Sequence, residues 1–172
     1  MKKRMWLGVA GGAAIGLFVG LMASNTPLRA QMKGQVETEP VATADEFRSH
    51  VIHQPDLPET VLQPGATSRL VTGEQSMISF LTMHAHTYFA PHHHPQEQIM
   101  IVLDGSCDEI IDGKIYHVKP GDVIVLPPNL VHGAYMGNED VHVIDVFGEV
   151  RSDYLLKMEQ TMVDMNLKLN KK

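Results

Sequence analysis

The sequence of 172 residues is poor in cysteine and in aromatic residues. It contains one cysteine, one tryptophan and 6% aromatic residues in all. The single thiol, Cys107, cannot form an intramolecular disulfide bond, so a folded domain depends on packing alone, and we expect Cys107 to be a structural strand residue. No cysteine stands directly after the N-terminal apolar run, which excludes a lipoprotein anchor at that point.

Positive charge is also scarce beyond the N-terminus. The chain holds 14 lysine and arginine residues against 20 aspartate and glutamate residues. Residues 1–30 contain four of the 14 basic residues and none of the acidic ones, which leaves 10 basic and 20 acidic residues in the remainder. Phosphate backbones repel such an acidic domain, so we expect no nucleic-acid partner.

The N-terminal segment 1–30 has the pattern of a signal peptide or a membrane anchor. Basic residues at positions 2–4 precede an uninterrupted apolar run from about Met5 to Ala23. This order places the following domain on the non-cytoplasmic side. We therefore expect a periplasmic or secreted protein, or one anchored to the inner membrane with its domain outside the cytoplasm. Any membrane contact is expected through this segment, if it stays uncleaved.

The remaining chain divides into three parts. Residues 31–64 are predicted to be a linker with a short helix, which begins at a capping box of Thr43 and Glu46. Residues 65–150 alternate β-rich runs with turn signals, which predicts an all-β antiparallel sandwich or barrel. Residues 151–172 are predicted to form a C-terminal helix with one apolar stripe. The predicted strands are Ser76–Met83, Glu97–Leu103, Cys107–Ile111, Lys114–Val118, Val123–Leu126, Val131–Met136 and Val141–Phe147.

Two histidine-containing segments lie within the β-rich region. The first reads PHHHPQEQIMIVLDG (91–105) and the second reads PGDVIVLPPNLVHG (120–133). In an extended chain the side chains of His92 and His94 point to one side and that of His93 to the other. This spacing is what a pair of chelating imidazoles requires.

Gln98 and His132 complete the candidate set of metal ligands. Gln98 begins the apolar run that follows the first histidine segment, and His132 follows the break at Pro127 and Pro128. Three imidazoles and an amide oxygen suit a borderline divalent ion, namely Zn, Ni, Fe or Mn, with positions left for water or substrate. The alternative is a metal that only ties the strands together.

Both segments resemble the paired signature of the cupin superfamily. The matching positions are His92, His94, Gln98 (in place of a glutamate) and Gly105 in the first motif, and Gly121, Pro127 and His132 in the second. The departures are His86 and Asn129 at two glycine positions and Met136 at a final asparagine. Asn129 suits a turn because asparagine tolerates left-handed backbone. The resemblance implies a cupin-type jelly roll that binds a divalent metal.

A narrower resemblance includes the segment VIDVFGEVRSDYL (143–155). Together with the first histidine segment, it resembles the small single-domain cupins of pectin and alginate breakdown, which open the ring of 4,5-unsaturated monouronates. The His-His-Gln-His set itself is shared with other cupins, including an isomerase of bacilysin biosynthesis and polyketide cyclases. The resemblance implies that His92, His94, Gln98 and His132 hold the metal, that Asp145 and Arg151 are catalytic, and that Phe147 lines the substrate pocket.

The chemistry of these side chains fits a ring opening. Asp145 and Phe147 share one strand face, so a carboxylate and an aromatic wall meet the same cavity. Asp145 would take the proton of the anomeric hydroxyl, and Arg151 would bind the uronate carboxylate. We also assign Tyr135 to the substrate pocket.

Three functions remain open at this stage. The first is a metal-dependent ring-opening or isomerising enzyme acting on a small sugar acid or a related carbonyl compound. The second is a cupin dioxygenase that uses iron, and the third is a non-enzymatic module that binds a metal or a small ligand.

The resemblance and the methionine-rich C-terminal helix also predict a homodimer. His84 and His86 form a second H-x-H pair, which lies outside the ligand positions of the motif.

Overall fold

The computed structural model describes residues 40–169, which contain ten β-strands and two α-helices. The strands are β1 (Thr60–Gln63), β2 (Ala66–Thr72), β3 (Met77–Met83), β4 (Tyr88–His92), β5 (Gln98–Asp104), β6 (Cys107–Ile111), β7 (Lys114–Val118), β8 (Val123–Leu126), β9 (His132–Met136) and β10 (Val141–Phe147). The helices are α1 (Ala44–His50) and α2 (Ser152–Leu169), and Gln54–Asp56 form a short 3-10 helix. The predicted signal or anchor segment 1–30 lies outside the described residues.

Antiparallel pairing joins the strands into two sheets. The six-stranded sheet has the order β1-β2-β3-β10-β5-β8, and the four-stranded sheet has the order β4-β9-β6-β7. Both contribute to one hydrophobic core, which includes Leu81 and Met100 from the larger sheet and Ala134 and Met136 from the smaller one. The all-β antiparallel architecture predicted from the sequence is confirmed.

Strand β10 shows how the sheet faces are assigned. Its alternate residues Val141, Val143, Asp145 and Phe147 are each no more than 1% exposed, whereas the residues between them are half-buried. The strand lies between β3 and β5 in the centre of the larger sheet, so its inward face is fully enclosed. A carboxyl group, Asp145, therefore stands on the buried face of a central strand.

The seven predicted strands are present, and the structure adds β1, β2 and β4. β1 lies inside the segment 31–64 assigned to the linker, and it pairs with β2 at the edge of the larger sheet. β4 contains Pro91, which lacks a backbone N–H and is tolerated here at the edge of the smaller sheet. These strands are short or polar, so their sequences lack the apolar alternation by which the others were found.

Local conformation agrees with the turn residues. Asp112 and Gly113 have φ of 49° and 74°, as a two-residue hairpin turn between β6 and β7 requires. Asn129 has φ of 61°, so asparagine serves the left-handed position expected of it. His86 has φ of 63°, and a histidine thus keeps left-handed backbone at a motif position that is usually glycine.

The two helices begin where the sequence predicts. At α1 the Thr43 amide donates to Glu46 Oε2 over 2.7 Å, and the Glu46 amide donates to Thr43 Oγ1 over 3.3 Å, which forms the capping box. In α2 the side chains of Leu155 and Met158 pack against the core. No helix within residues 40–169 has the length and the apolar character needed to cross a membrane.

Candidate metal centre and active site

Three of the predicted metal ligands converge at one end of the smaller sheet. His92 on β4 stands directly opposite His132 on β9, and their ring centroids are 4.4 Å apart. His94 follows the end of β4, and its ring lies 5.0 Å from that of His132. One ring nitrogen from each histidine lies within 4.8 Å of the other two. The intervening His93 is exposed, so the alternation predicted for this segment holds although β4 ends at His92.

Backbone carbonyl groups fix the proton on each of these rings. The Nδ1 atom of His92 lies 3.0 Å from the carbonyl oxygen of Ala90, that of His94 lies 2.9 Å from the carbonyl oxygen of Gln96, and that of His132 lies 2.9 Å from the carbonyl oxygen of Leu130. A carbonyl oxygen accepts but cannot donate, so Nδ1 carries the hydrogen in each ring. The lone pair of Nε2 is then free to bind a metal, as in protein metal sites generally.

Burial keeps two of these imidazoles neutral. His132 is 4% exposed, and its burial lowers its pKa to about 4. Burial also lowers the pKa of His94, and the positive charge of Arg151 adds to this effect. A neutral imidazole is the form that binds a metal ion, so both rings are ready to coordinate at neutral pH.

Gln98, the fourth predicted ligand, connects the histidines to Asp145. Its Oε1 atom lies 3.1 Å from Nε2 of His94, and its Nε2 atom donates to Oδ1 of Asp145 over 2.7 Å. With Nδ1 of His94 protonated, the first contact brings two acceptors together without a proton between them. A cation in this position would stabilise both. The four predicted ligands therefore fit a divalent metal ion by the chemistry of their donor atoms.

Asp145 occupies the inner face of β10 beside this centre. It is 1% exposed, and burial raises its pKa to about 7, against the hydrogen bond from Gln98 and the positive charge of Arg151, which lower it. A carboxyl group with a pKa near neutrality exchanges a proton readily at physiological pH. Its position on the cavity side, predicted from strand parity, agrees with the structure.

Arg151, which directly precedes α2, lines the same cavity. It is 6% exposed, and its guanidinium group lies 4.0 Å from the ring centroid of Tyr154 and 5.2 Å from that of Phe147. Nε and Nη2 donate to the two carboxylate oxygens of Asp153 over 3.1 and 2.7 Å. Aromatic stacking and this bidentate pair hold the guanidinium in one orientation. Phe147 thus acts as a support for Arg151 and as a neighbour of His94, at 5.7 Å between ring centroids.

A cavity between the two sheets is lined by several of these groups, but His94 and Phe147, the latter predicted to line the pocket, are not among its lining residues. Its volume is about 370 Å³ when the open solvent at its mouth is included. Its walls include apolar side chains and a small set of polar ones. The polar lining residues are His92, Gln98, Glu109, His132, Asp145, Arg151 and Tyr154. Such a cavity suits a small and partly polar molecule.

Tyr135 does not line this cavity, contrary to the assignment from the sequence. It is 54% exposed on the outer face of β9, where its ring lies 5.6 Å from that of Tyr88. Three positions separate Tyr135 from His132, and an odd separation along a strand places two side chains on opposite faces. Strand parity alone therefore excludes the pocket role.

Glu109 is a cavity residue that the sequence analysis missed. It lies on β6 opposite Ala134 and is 2% exposed. Burial, and secondarily the negative charge of Asp145, raise its pKa to about 8. It has the same strand parity as Cys107, which was expected to be a structural strand residue and is 5% exposed, so a buried glutamate could have been inferred.

The remaining candidates lie apart from the metal centre. Nδ1 of His84 lies 3.0 Å from Oδ2 of Asp140 at an exposed position, and His86 is not among the cavity residues. The thiol of Cys107 is buried, and burial raises its pKa to about 12, which suits a packed strand residue rather than a nucleophile.

Comparison with known proteins agrees with this architecture. Residues 79–147 match the Cupin domain family. The chain is similar to the structure of an RmlC-like cupin from Shewanella frigidimarina, with 22% identity, a TM-score of 0.57, and coverage of 61% of this chain and 95% of that one. It is similar to the structure of KdgF from Halomonas sp., with 26% identity, a TM-score of 0.56, and coverage of 59% and 94%.

A third similar structure is that of the polyketide cyclase RemF from Streptomyces resistomycificus, with 23% identity, a TM-score of 0.53, and coverage of 59% of this chain and 80% of that one. No curated protein sequence matches the chain significantly. The described residues thus have a predominantly β-sheet cupin fold with a C-terminal helix. The cupin resemblance read from the two histidine segments is confirmed at this level.

Proposed function

We propose that this protein is a metal-dependent enzyme that opens or isomerises a small sugar acid, with a 4,5-unsaturated monouronate as its first candidate substrate. The observation that carries the proposal is the buried Asp145 carboxyl group, hydrogen-bonded to Gln98 in a cavity that Arg151 also lines. A base, a metal centre and a fixed cation then face one small molecule. The sequence resemblance to the cupins of pectin and alginate breakdown supports the substrate class.

The metal ion would be held by His92, His94, Gln98 and His132. When bound, a divalent ion supplies Lewis-acid polarisation of a substrate oxygen and stabilises negative charge that develops there. Because Gln98 is neutral where related sites carry glutamate, the ligand set adds no negative charge to the ion. This composition supports electrophilic chemistry, and Zn, Ni, Fe and Mn all suit the donors.

Arg151 supplies the recognition of a carboxylate. Among the described residues, its hydrogen bonds to Asp153 use Nε and Nη2, and they do not involve Nη1. A guanidinium group that lines the cavity and is held against two aromatic rings offers a charged donor at a fixed place. In a domain with twice as many acidic as basic residues, such a cation is needed to bind an anionic sugar.

Asp145 would carry the proton transfer. Its carboxylate accepts the proton of the anomeric hydroxyl as the bond from the anomeric carbon to the ring oxygen breaks, which gives an aldehyde and an enolate. The enolate then takes up a proton, from the protonated Asp145 directly or through water, at the alkene carbon that does not carry the ring oxygen. The open product is therefore a constitutional isomer of the ring, and Asp145 is a carboxylate again. The hydrogen bond from Gln98 orients Asp145, and general bases of this kind contribute roughly 10²–10⁴-fold in rate.

The test is to incubate zinc-loaded protein with 4,5-unsaturated monouronate and to follow the alkene proton by NMR under anaerobic conditions. We expect loss of the signal with wild type, none above background with His132→Ala, and a rate lower by roughly 10²-fold or more with Asp145→Asn at unchanged zinc content. Wild-type turnover by Asp145→Asn would contradict the assigned base. Activity that requires oxygen, measured with an oxygen electrode, would favour the dioxygenase instead.

We also propose that the enzyme acts outside the cytoplasm. The basic and apolar pattern of residues 1–30 supports export or anchoring. Fusion of this segment to alkaline phosphatase, which is active only after export, should give an active fusion. An inactive fusion with intact protein level would contradict the proposed location.

A further inference from the structure

Glu109 is a buried carboxyl group for which the described residues provide no complete set of partners. Its side chain enters the cavity from β6, and the residue is 2% exposed. The Oε2 atom is buried and has no hydrogen-bond partner among the described residues. Buried polar atoms in proteins nearly always have a partner, because an unmade hydrogen bond costs free energy. The missing partner therefore requires an explanation.

The residues around Glu109 leave its Oε2 atom without a hydrogen bond. Across the smaller sheet its neighbours are Ala134 on β9 and Tyr116 on β7, and neither gives Oε2 a hydrogen bond. From the larger sheet the cavity is lined by the apolar Leu81 and Met83 and by the polar Gln98 and Asp145, and none of these gives Oε2 a hydrogen bond. Because no described residue pairs with Oε2, a molecule bound in the cavity is the natural source of its partner.

We propose that Glu109 is a substrate-contacting residue, whose neutral carboxylic acid group donates a hydrogen bond to a hydroxyl or ring oxygen of the sugar acid. The inference rests on the proposed function and extends it, because it adds a second polar contact to the carboxylate contact of Arg151. The carboxyl group keeps its proton at neutral pH, since burial and the charge of Asp145 raise its pKa to about 8. A neutral acid can donate, whereas a carboxylate can only accept.

This contact would select hydroxylated ligands. A site that contains a buried hydrogen-bonding group rejects an analogue that lacks the matching group, because the group then stays unpaired and desolvated. We therefore expect discrimination against deoxygenated acids of similar size, although Arg151 would bind their carboxylate equally well. The specificity would lie in Glu109 and the general affinity for anions in Arg151.

Binding measurements in a variant with little turnover separate recognition of the substrate from its conversion. The parent is zinc-loaded Asp145→Asn, and the two test proteins add Glu109→Gln or Glu109→Leu to it. Glutamine keeps a hydrogen-bond donor of the same length, whereas leucine removes it. Isothermal titration with 4,5-unsaturated monouronate should show the Gln protein within roughly threefold of the parent and the Leu protein weaker by roughly tenfold or more.

Two further readouts do not depend on turnover. Zinc affinity, measured by competition with a chromogenic chelator, should be unchanged in all three proteins, because Glu109 is not among the ligands. The infrared carbonyl band of a protonated carboxylic acid should be present in the Asp145→Asn parent, should move to lower frequency when the monouronate binds, and should be missing from the Glu109→Gln protein.

Each contrary outcome has its own meaning. Equal binding by the Leu protein and the parent would overturn the role of Glu109 and leave the proposed function intact. Binding by the Gln protein as weak as that of the Leu protein would overturn hydrogen donation by a neutral group. Zinc affinity lost in both Glu109 variants would overturn the inference in favour of a support for the metal. No binding by the parent itself would overturn the proposed function, and this inference with it.

Discussion

The buried acid Glu109 should make the metal-free protein less stable as the pH rises. In the unfolded chain its pKa is that of an ordinary glutamate, 4.5, whereas in the folded protein burial raises its pKa to about 8. Between these values the unfolded chain has lost the proton and the folded chain still holds it, so unfolding releases a proton. Higher pH therefore favours unfolding. Below about pH 4.5 both states hold the proton, so the contribution of Glu109 to the free energy of unfolding is at its highest. This contribution is lost progressively as the pH rises to about 8.

The magnitude follows from the two pKa values. They differ by about 3.5, and each pKa unit corresponds to about 1.4 kcal/mol, which gives an upper limit on the order of 5 kcal/mol. Water entry and relaxation around a buried ion reduce such penalties, so we expect a measured effect of about 2–4 kcal/mol. An effect of this size is a substantial fraction of the stability of a small domain.

Glu109→Gln removes the titration while keeping the shape of the side chain. Urea unfolding followed by far-UV circular dichroism, at pH 5 to 8 with EDTA present, should give equal stability for wild type and variant near pH 5. The variant should become the more stable protein by about 2–4 kcal/mol at pH 8. Glu149→Gln, at an exposed glutamate, is the matched control and should follow the wild type throughout. Parallel curves for wild type and Glu109→Gln would refute the reasoning.

Three other variants test the site geometry. Gln98→Glu places a second carboxylate beside Asp145, so turnover at pH 7 should fall by roughly tenfold or more with zinc still bound, and full activity would contradict this arrangement. A Cβ at Gly133 would lie 2.5 Å from the Phe89 carbonyl oxygen, so Gly133→Ala should lower the free energy of unfolding by about 1–3 kcal/mol. Its control, Gly137→Ala, meets no atom within 4 Å and should change stability by less than about 0.5 kcal/mol in the same urea titration. Tyr135→Ala should leave kcat/KM unchanged because Tyr135 lies on the outer face of β9. A large loss of kcat/KM would instead support its assignment to the pocket.

The candidate metal ligands were predictable from two sources, namely local spacing and the resemblance to the cupin motifs. His92 and His94 converge through alternation over two residues, and His132 and Gln98 occupy motif positions at the ends of strands. The same parity argument placed Asp145 and Phe147 on one buried face, where the structure has them. Alternation within one strand needs no knowledge of how the sheets pack, whereas His132 reaches His92 only through the pairing of β4 with β9.

Parity also shows why other predictions failed. Tyr135 was assigned to the pocket although it has the opposite parity to His132, and Glu109 was overlooked although it has the same parity as the buried Cys107. In both cases the residue type was given more weight than the position in the strand. An aromatic ring is typical of a pocket wall and a glutamate is typical of a solvated surface. In a strand next to a polar cavity, position is the stronger indicator.

The position of Arg151 needed the three-dimensional structure. It follows β10 by four residues, beyond the reach of strand parity, and its orientation comes from Tyr154 and from Asp153. Those two residues lie in the first turn of α2, where the chain leaves the sheet. Sequence resemblance could indicate the arginine but not the groups that hold it.

The pairing of Gln98 with Asp145 explains why an amide stands where related metal sites have a carboxylate. An amide has two different ends, and here the oxygen faces the histidine Nε2 atom while the nitrogen donates to Asp145. A glutamate could serve the metal, but it would face Asp145 with a second acceptor in a buried place, and one of the two carboxyl groups would have to hold a proton. The amide instead leaves Asp145 able to ionise and fixes its direction. In the proposed mechanism the choice of glutamine is therefore a condition for using Asp145 as a base, and the proposed metal ligand and base act as one unit.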